Sequence, residues 1–488
     1  MGVSRPNVLI VMADQFRADC VEANGSAICR TPNLDRLAAG GVTFSRAYTT
    51  APLCTPARGA LFTGRYPHSN RLTANTQYPE CPTPRLPDEE RLVFQHLAAA
   101  GYRCGYTGKW HLNVGEEAAE AHRRGVADFF NGAACRRLQM ERLGLPPRED
   151  VGRAAQRIMR GDHPPMSGVI PYPEPYQLDS CIAGQTVELI RRYTAAGMGA
   201  HEGEPSPWAL VCSFHGPHFP IEVPEPYESM YDPQDVPRPA SFDDTFEGKP
   251  QGQRTHPWLQ LAAHLSWEEW RRVIAHYWGF CTYIDSLVGR VLNALEESGQ
   301  GPDTLVMFTA DHGEMAGHHR MFDKGPYLYE DVMRVPFVWR WPETVRVLAP
   351  RGRQERLVSH VDVVPTVLEV AGVGVVEGSP GLQGQSLLKP HPPAPSPEAG
   401  EGEAAVFGET NVGDRVNPQQ DTRLIVAGGW KYVYRPDEGP DELYDLQNDP
   451  DEMRNVIGES QAQRTLATLR ARLREWMERT EDTLAWSH

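Results

Sequence analysis

Asn7-Val-Leu-Ile-Val-Met-Ala13, near the start of the chain, is a continuous apolar run rich in β-branched residues. A run of this kind, followed at once by Asp14, Gln15 and Arg17, is typical of a parallel strand that is buried on both faces of a sheet. Three later runs have the same form, at residues 208–214, 304–309 and 335–339. The chain therefore predicts several buried strands of one sheet.

Helical patterns separate these strands along the chain. They cover residues 34–39, 92–100, about 267–297, and 360–371. Strands that alternate with helices indicate an α/β fold around a large, mainly parallel sheet. Polar residues follow the strand ends directly, namely Asp14, His215, His218, Asp311 and His312. Ligands of open parallel sheets bind in the crevice beyond the carboxyl ends of the strands, so these residues predict a functional site there.

Length, charge and cysteine content limit the class of protein. A chain of 488 residues is long enough for two structural units, since domains commonly contain ~100–200 residues. The formal net charge of -16 argues against a nucleic-acid-binding protein, which would carry a basic face. No stretch approaches the ~20 apolar residues of a membrane span, and residues 1–6 lack the pattern of a secretion signal. Because the nine cysteines show no paired zinc-type spacing, we expect free thiols and a cytoplasmic protein without membrane partners.

The chain also suggests a division into domains. Residues 389–403 (KPHPPAPSPEAGEGE) have the composition of a linker or exposed loop, so we expect a catalytic domain at 1–388 and a C-terminal subdomain at 404–488. Strand patterns at 405–408, 423–427 and 431–434, followed by a helix around 461–479, predict a small antiparallel sheet with a helix. Residues 115–175 and 224–253 lack clear periodicity, and we expect them to form loops that shape specificity.

The stretch Cys54-Thr-Pro-Ala-Arg58-Gly-Ala-Leu-Phe-Thr-Gly64-Arg65 places a cysteine at the start of a helical pattern. Proline two positions on suits the first turn of a helix, so Cys54 would lie where backbone N–H groups and the helix dipole favour anions. Arg58, four residues on, can reach the same place and bind a tetrahedral oxyanion. Taken alone, this spacing fits a buried structural cysteine near a helix start equally well.

Four segments, in the same order along the chain, together resemble the sulfatase family. Cys54-x-Pro-Ala-Arg58 with the following Thr-Gly-Arg resembles the signature in which the cysteine is oxidised to formylglycine. The other segments are Gly108-Lys109-Trp-His111, Asp311-His-Gly-Glu314 with Lys324-Gly-Pro, and Glu442-Leu-Tyr-Asp-Leu-x-Asn-Asp-Pro450. This resemblance covers nearly the whole chain and implies the alkaline-phosphatase-like α/β sandwich. That fold has a large mixed, mainly parallel sheet between helices and a smaller C-terminal antiparallel sheet with a helix.

The resemblance implies hydrolysis of a sulfate monoester of an aryl, sugar or alkyl alcohol. Formylglycine at position 54, produced by a formylglycine-generating enzyme, would as a hydrate carry two hydroxyls on one carbon. One attacks sulfur and displaces the alcohol, and the other then loses its proton and expels sulfate. The implied catalytic residues are Cys54 as the nucleophile, Arg58 and Lys109 beside the ester oxygens, and His111 as a base. His218 would donate to the leaving oxygen, and Lys324 would contact both a sulfate oxygen and the leaving oxygen. Asn75 is a candidate for substrate binding or a turn residue.

The same resemblance implies one divalent metal ion, with Asp14, Gln15, modified Cys54, Asp311 and His312 as ligands. A hard cation lowers the pKa of a bound hydroxyl and neutralises ester oxygens. Because most of these ligands are oxygen donors, Ca²⁺ is the expected ion and Mg²⁺ is the alternative. Gln15 replaces the commoner aspartate of the family. Because this lowers the negative charge of the ligand set, Mn²⁺ is a further alternative for the bound ion.

Two other interpretations are open. Phosphonate monoester and phosphodiester hydrolases also use formylglycine and an Asp-Gln metal pair, and both Gln15 and Asn75 favour them. The Gly-Lys-x-His element at residues 108–111 favours a sulfatase instead. A non-catalytic protein of the same fold would require an unmodified Cys54 or the loss of the cationic residues, all of which are present in the sequence.

The remaining histidines and tryptophans carry weaker signals. His215 matches no family position and is expected to support the site or to lie in a loop. Adjacent side chains point in different directions, so the pair His318 and His319 is not expected to form a second metal site. The tryptophans Trp267, Trp270 and Trp278 fall at helical spacing, which favours core packing over sugar binding.

Overall fold

The computed structural model describes residues 5–26, 29–77, 81–146, 155–160, 163–170, 173–195, 206–255, 262, 264–325, 327–388, 404–411, 421–436 and 439–486. In chain order the strands are β1 (Asn7–Ala13), β2 (Val42–Tyr48), β3 (Arg103–Gly108), β4 (Asp128–Phe130), β5 (Ala155–Arg160), β6 (His163–Ile170), β7 (Trp208–Ser213), β8 (Ile221–Pro224), β9 (Thr304–Ala310), β10 (Phe337–Arg340), β11 (Gly352–Ser359), β12 (Val406–Thr410), β13 (Thr422–Ala427), β14 (Trp430–Tyr434) and β15 (Glu442–Asp445). The helices are α1 (Pro32–Ala39), α2 (Cys54–Thr63), α3 (Pro67–Asn70), α4 (Val93–Ala99), α5 (Glu117–Arg123), α6 (Gly132–Leu143), α7 (Leu178–Ala195), α8 (Gln251–Thr255), α9 (Trp267–Glu297), α10 (Glu330–Met333), α11 (Val363–Ala371) and α12 (Gln463–Arg479).

The fold is built on an eight-stranded mixed sheet with the strand order β11-β2-β10-β9-β1-β7-β3-β4. Strand β1 lies near its centre and pairs in parallel with both β7 and β9. Strand β10 is antiparallel to both of its neighbours, β9 and β2, while the other pairings in the sheet are parallel. Side chains of β1, β7 and β9 are buried almost throughout, because helices cover the sheet on both faces.

Two groups of helices pack on this sheet. Helices α1, α6, α7 and α9 contact one another, and α2, α3, α4 and α11 form a second set of contacts. The 31-residue helix α9 begins at a capping box, in which the Ser266 side chain accepts a hydrogen bond from the backbone N–H of Glu269 and the Glu269 carboxylate accepts one from the backbone N–H of Ser266. The predicted tryptophans Trp267, Trp270 and Trp278 all lie in this helix and pack in hydrophobic clusters, as expected.

The C-terminal part forms an antiparallel sheet in the order β12-β13-β14-β15, as predicted, and helix α12 packs on it. The apolar face of α12, with Leu466, Leu473 and Trp476, joins a hydrophobic cluster that also contains Tyr66 and Val361 of the larger unit. This shared cluster binds the small sheet to the rest of the fold. The predicted linker at 389–403 lies outside the described residues, and the domain boundaries at 388 and 404 remain a prediction.

Two local expectations need correction. The run at 335–339 predicts a strand of the same parallel form as β1, but the strand is β10 and is antiparallel. Residues 115–175, predicted to form loops, instead contain α5, β4, α6, β5 and β6, and β6 pairs with β8 in a separate three-stranded sheet. Residues 224–253 are mainly loop with short 3-10 turns, as expected. Within the described residues, no helix combines the length and apolar character needed to cross a membrane.

Candidate active site

The carboxyl ends of four neighbouring strands meet at one edge of the large sheet. Asp14 follows β1, Lys109 follows β3, His215 and His218 follow β7, and Asp311 follows β9. These strands are adjacent in the order β9-β1-β7-β3, so their following residues lie side by side. Helix α2 begins at Cys54 and brings this residue to the same edge, as the sequence predicts.

Four buried side chains bring potential metal-ligand atoms together. One atom each of Asp14, Cys54, Asp311 and His312 lies within 4.8 Å of the others. The Cys54 Sγ is 3.3 Å from His312 Nε2 and 3.8 Å from Asp14 Oδ1. His312 Nε2 is in turn 3.7 Å from Asp311 Oδ1. The structure therefore assembles four of the five predicted ligands around one point.

Gln15, the fifth predicted ligand, borders the same cluster. Its φ of 65° is a left-handed conformation that non-glycine residues adopt uncommonly. The amide Nε2 donates to the buried Glu314 carboxylate, and the amide Oε1 accepts a hydrogen bond of 2.8 Å from Lys324 Nζ. The backbone N–H of Gln15 donates to Asp311 Oδ1 at 3.0 Å. These contacts fix the orientation of the Gln15 amide and keep its oxygen on the side of Lys324.

The Arg58 guanidinium forms ion pairs with the carboxylates of both Asp14 and Asp311. Its Nε donates to Asp311 Oδ2 at 2.9 Å and its Nη2 donates to Asp14 Oδ2 at 3.1 Å, and all three side chains are fully buried. Its Nη1 donates to the Lys109 carbonyl and to Ser213 Oγ, at 2.8 and 2.9 Å. Because the Oδ2 atoms are engaged in this way, the Oδ1 atoms remain on the side of Cys54 and His312. The predicted direct contact of Arg58 with an ester oxygen stays a prediction.

Two lysines and a histidine surround the cluster on its open side. Lys109 Nζ lies 2.5 Å from Asp14 Oδ2 and 3.6 Å from Cys54 Sγ. Lys324 Nζ lies 2.7 Å from His218 Nε2, which is itself 3.8 Å from Asp14 Oδ1. The His218 side chain is 29% exposed, whereas those of Asp14 and His312 are fully buried, so His218 marks the mouth of the site.

The first turn of α2 is anchored by residues that come from other segments. The backbone N–H of Thr55 donates to Asn75 Oδ1 at 3.0 Å, and the Thr55 hydroxyl donates to the His111 carbonyl at 2.9 Å. Asn75, predicted to bind substrate or to lie in a turn, thus caps the helix that carries Cys54. His111 has a left-handed φ of 57° and contacts Gln77 Oε1 through Nε2 at 2.6 Å. Among the described residues its buried Nδ1 has no hydrogen-bond partner.

The charges around the cluster shift its pKa values. Burial would raise the pKa of Asp14, but Lys109, His218 and Arg58 hold it well below the ordinary value of 3.8. Burial and the neighbouring Asp14 charge raise the pKa of Asp311. The pKa of the Cys54 thiol is well below its ordinary value of 9.0, because the nearby Lys109 and Lys324 charges outweigh burial and Asp14. The site therefore stabilises negative charge at position 54.

The donor atoms fit a hard divalent cation. Two carboxylates, an amide oxygen and one imidazole are the ligand types that Ca²⁺, Mg²⁺ and Mn²⁺ accept. The His312 Nδ1 lies 2.9 Å from the Gly313 carbonyl, so in the neutral imidazole Nδ1 carries the proton and Nε2, on the side of Cys54, is the atom available to a metal ion. The residues present thus provide a negatively charged, pre-oriented set for the predicted ion.

Three further histidines of the sequence analysis are not part of the ligand cluster. The backbone N–H groups of His215 and Gly216 both donate to Asp179, at 2.7 and 3.1 Å, so His215 belongs to the loop that holds His218 in place. His318 Nδ1 contacts Asp331, and His319 Nδ1 contacts Asp244 at 2.7 Å. The last two histidines point to different partners, as expected for adjacent residues.

Sequence reasoning missed three supporting residues. Ser213 accepts a hydrogen bond from Arg58 and donates one of 2.8 Å to the Lys109 carbonyl, which ties the ends of β7 and β3 together. Glu314 orients Gln15, and Asp179 orients the loop after β7. Glu314 lies inside a recognised motif and Ser213 lies inside the predicted strand at 208–214, and these were the available signals. Asp179 gives no such signal, because it lies at the start of α7, far along the chain from His218.

Comparison with known proteins agrees with this geometry. An arylsulfatase from Clostridium perfringens is 26% identical over 98% of this chain and 95% of its own length. A Delta 4,5-hexuronate-2-O-sulfatase from Bacteroides thetaiotaomicron is 27% identical over 98% of this chain and 90% of its own. The solved phosphonate monoester hydrolase of Agrobacterium radiobacter superposes with a TM-score of 0.74 at 25% identity, covering 98% of this chain and 96% of that one.

Family profiles extend the comparison over most of the chain. The profile of the N-sulphoglucosamine sulphohydrolase C-terminal region matches residues 317–479, which include the small antiparallel sheet. The sulfatase profile matches residues 6–373, which carry the whole ligand cluster and both lysines. With this match over the residues that build the site, the chain belongs to the sulfatase family.

Proposed function

We propose that this sulfatase hydrolyses a sulfate monoester with residue 54, as formylglycine, in the role of the nucleophile. The observation that supports this most strongly is the position of Cys54. It is the first residue of α2, its Sγ lies 3.6 Å from Lys109 Nζ and 3.3 Å from His312 Nε2, and it is fully buried. A nucleophile at this point lies among cations and faces the proposed metal ligands.

The cationic residues are proposed to bind the sulfate group and stabilise the charge that develops during the reaction. Lys109 lies beside position 54, and Lys324 lies between Gln15 Oε1 and His218 Nε2. Donors fixed in a buried site stabilise developing charge far better than donors in water, because they need no reorganisation. We assign Lys109 to the sulfate oxygens and Lys324 to the sulfate and the leaving oxygen together.

Proton transfer is assigned to the two histidines. His218 stands at the mouth of the site with Nε2 beside Lys324, where the imidazolium form can transfer its Nε2 proton to the leaving alcohol oxygen. His111 contributes a buried Nδ1 that has no hydrogen-bond partner among the described residues. Burial and the nearby Lys109 charge lower the pKa of His111 below its ordinary value of 6.5, so the imidazole is neutral and can accept a proton from the diol.

A divalent cation, which we propose to be Ca²⁺, would be held by Asp14, Gln15, Asp311, His312 and residue 54. When bound, it would neutralise ester oxygens and lower the pKa of the attacking hydroxyl. The preference for Ca²⁺ rests on the oxygen atoms of Asp14, Asp311 and Gln15, with Mg²⁺ and Mn²⁺ as the alternatives. Arg58 donates to the Oδ2 atoms of both carboxylates and so leaves their Oδ1 atoms for that ion.

The substrate is proposed to be a small-molecule or sugar sulfate, because sequence relatives include an arylsulfatase and a hexuronate 2-O-sulfatase. The segments that shape its alcohol half are expected at 115–175 and 220–255. Maturation would require a formylglycine-generating enzyme. All nine cysteines are free, which supports a reducing compartment and therefore the cytoplasm.

The second candidate is hydrolysis of a phosphonate monoester or phosphodiester at the same site. The observation that favours it is the neutral Gln15 in the ligand set, together with the similarity to the Agrobacterium radiobacter phosphonate monoester hydrolase. The two candidates predict opposite preferences, so one comparison separates them. We measure kcat/KM for an aryl sulfate and for an aryl phosphonate monoester, with the protein matured and saturated with Ca²⁺. Faster turnover of the sulfate supports the first proposal, and faster turnover of the phosphonate supports the second.

A further inference from the structure

Three cysteines converge at a place outside the candidate active site. Cys20 ends a 3-10 turn after β1, Cys29 precedes α1, and Cys281 lies in the middle of α9. Their sulfur atoms all lie within 4.8 Å of one another, and the three residues are 2%, 3% and 0% exposed. Buried free cysteines usually pack singly, as small hydrophobic side chains. Here three distant segments direct their thiols toward one point.

We propose that Cys20, Cys29 and Cys281 form a tri-thiolate site for a thiophilic metal ion of the Cu(I) and Zn²⁺ class. Thiolate sulfur is a soft ligand that selects such ions over Ca²⁺ and Mg²⁺. An ion with metal–sulfur distances of ~2.3 Å at the centre of three sulfurs places them about 4 Å apart. The three sulfurs lie within 4.8 Å of one another, which is close enough for all three to bind one ion. Binding breaks the S–H bonds, forms three metal–sulfur bonds and releases up to three protons, with no change of oxidation state.

Polar groups lie around the Cys29 sulfur. The hydroxyls of Tyr231 and Thr282 are 2.7 Å apart and both interact with it. The Cys29 thiol also donates to the Trp278 carbonyl, with its Sγ 3.6 Å from that oxygen. A bound metal removes the protons of the thiols that coordinate it, so these polar groups would then face a thiolate.

A cleft of about 450 Å³ leads from the surface to Cys29. Among the described residues, its lining includes the carboxylates of Glu22, Asp232 and Asp235 and one cation, Arg30. An acidic excess at the mouth raises the local concentration of cations. Met230, which also lines the cleft, carries a thioether, a further soft donor. Cys29 lines the cleft, so a metal ion that enters here meets this sulfur first.

A metal ion in this site would link the segment after β1 to helix α9, and both also support the proposed catalytic metal ligands. Tyr277 lies one turn before Cys281 in α9, and its hydroxyl donates to the Gln15 carbonyl at 2.7 Å. The same hydroxyl accepts a hydrogen bond of 3.0 Å from the backbone N–H of Arg17. A metal bridge from Cys20 to Cys281 would therefore close a loop of chain around this contact and stabilise the fold. Its role is structural and independent of the proposed reaction.

The test uses the full-length protein, reduced and freed of metal with a chelator, in buffer with excess Ca²⁺ to occupy the oxygen-rich site. Cd²⁺ serves as the spectroscopic probe, and Zn²⁺ and Cu(I) are then competed against it. We expect one Cd²⁺ per chain, an ultraviolet thiolate-to-metal absorption band, three sulfur neighbours by X-ray absorption, and a higher thermal unfolding temperature. The proposed active site offers at most one sulfur, and none after formylglycine formation, so the sulfur count separates the two sites.

Matched variants complete the test. Cys29→Ser and, in a separate protein, Cys281→Ser should lose the band and the thermal shift. Cys104→Ser should keep both, because Cys104 is a buried thiol in β3 with the Phe94 carbonyl as its partner. If Cys281→Ser fails to fold, Cys29→Ser at the edge of the cleft still decides the question. A site with fewer than three sulfurs, an equal signal in all variants, or a disulfide between two of these cysteines in the protein as isolated would overturn the proposal.

Discussion

Removal of the Arg58 charge should destabilise the metal-free protein strongly. Arg58→Met keeps most of the side-chain volume but deletes the ion pairs with Asp14 at 3.1 Å and Asp311 at 2.9 Å, where all three side chains are fully buried. Breaking a buried ion pair from one side leaves uncompensated charge and costs about 3–5 kcal/mol. We expect a loss of this size in the free energy of unfolding. Ca²⁺ should stabilise the variant more than the wild type, because the freed carboxylates regain a counter-ion.

The assay is urea denaturation at fixed pH, followed by fluorescence and circular dichroism, with chelator or with Ca²⁺. Coincident transitions from the two probes are required before a free energy is extracted. Arg124→Met is the matched control, since Arg124 is buried and pairs with Glu120 and backbone carbonyls instead of the site residues. It should lose stability without any added response to Ca²⁺. A loss below about 1 kcal/mol for Arg58→Met, or equal Ca²⁺ responses in variant and wild type, would refute this reasoning.

Three further predictions concern activity, metal affinity and pH. Lys324→Ala should lower kcat/KM by about 10²–10³, the usual effect of removing one charge-stabilising donor, and an effect below tenfold in steady-state kinetics contradicts its assignment. Glu314→Ala releases the Gln15 amide and should raise the Ca²⁺ concentration for half-maximal activity by about 10–100-fold, and an unchanged Ca²⁺ titration contradicts this. Burial lowers the pKa of His68, but the Glu409 carboxylate raises it above 6.5 overall. This ion pair therefore stabilises the fold fully below pH 6.5, and its contribution falls as the pH rises through the folded pKa of His68. His68→Gln should flatten the dependence of unfolding free energy on pH, whereas an unchanged slope speaks against the pair.

The buried strands could be predicted from the sequence because their residues are continuously apolar. β1, β7 and β9 lie at the centre of the sheet, and each was visible as an apolar run. β11, Gly352–Ser359, was missed because it is an edge strand whose first five residues are exposed or half-buried and include three charged side chains. The antiparallel direction of β10 leaves no trace in its own residues, since direction is set by the connections between strands. Pro164 and Pro165 hid β6, because proline argues against a strand.

The candidate site could be predicted to the extent that its residues follow strand ends or stand in motifs. Asp14, Asp311 and His312 follow β1 and β9, and these strands are neighbours in the sheet. Contacts between distant segments could not be predicted. The capping of α2 by Asn75 and the meeting of Cys29 with Cys281 depend on the full packing of the chain.

The central claim is that residue 54, after conversion from cysteine, attacks a sulfate ester. The most direct measurement is mass spectrometry of the tryptic peptide 47–58 from protein co-expressed with a formylglycine-generating enzyme, with sulfate release from an aryl sulfate measured on the same sample. We predict an aldehyde in place of the Cys54 thiol, sulfate release in proportion to the converted fraction, and loss of that release with chelator. Sulfate release at the same rate from fully unconverted protein, or none from fully converted protein saturated with Ca²⁺, would contradict the account.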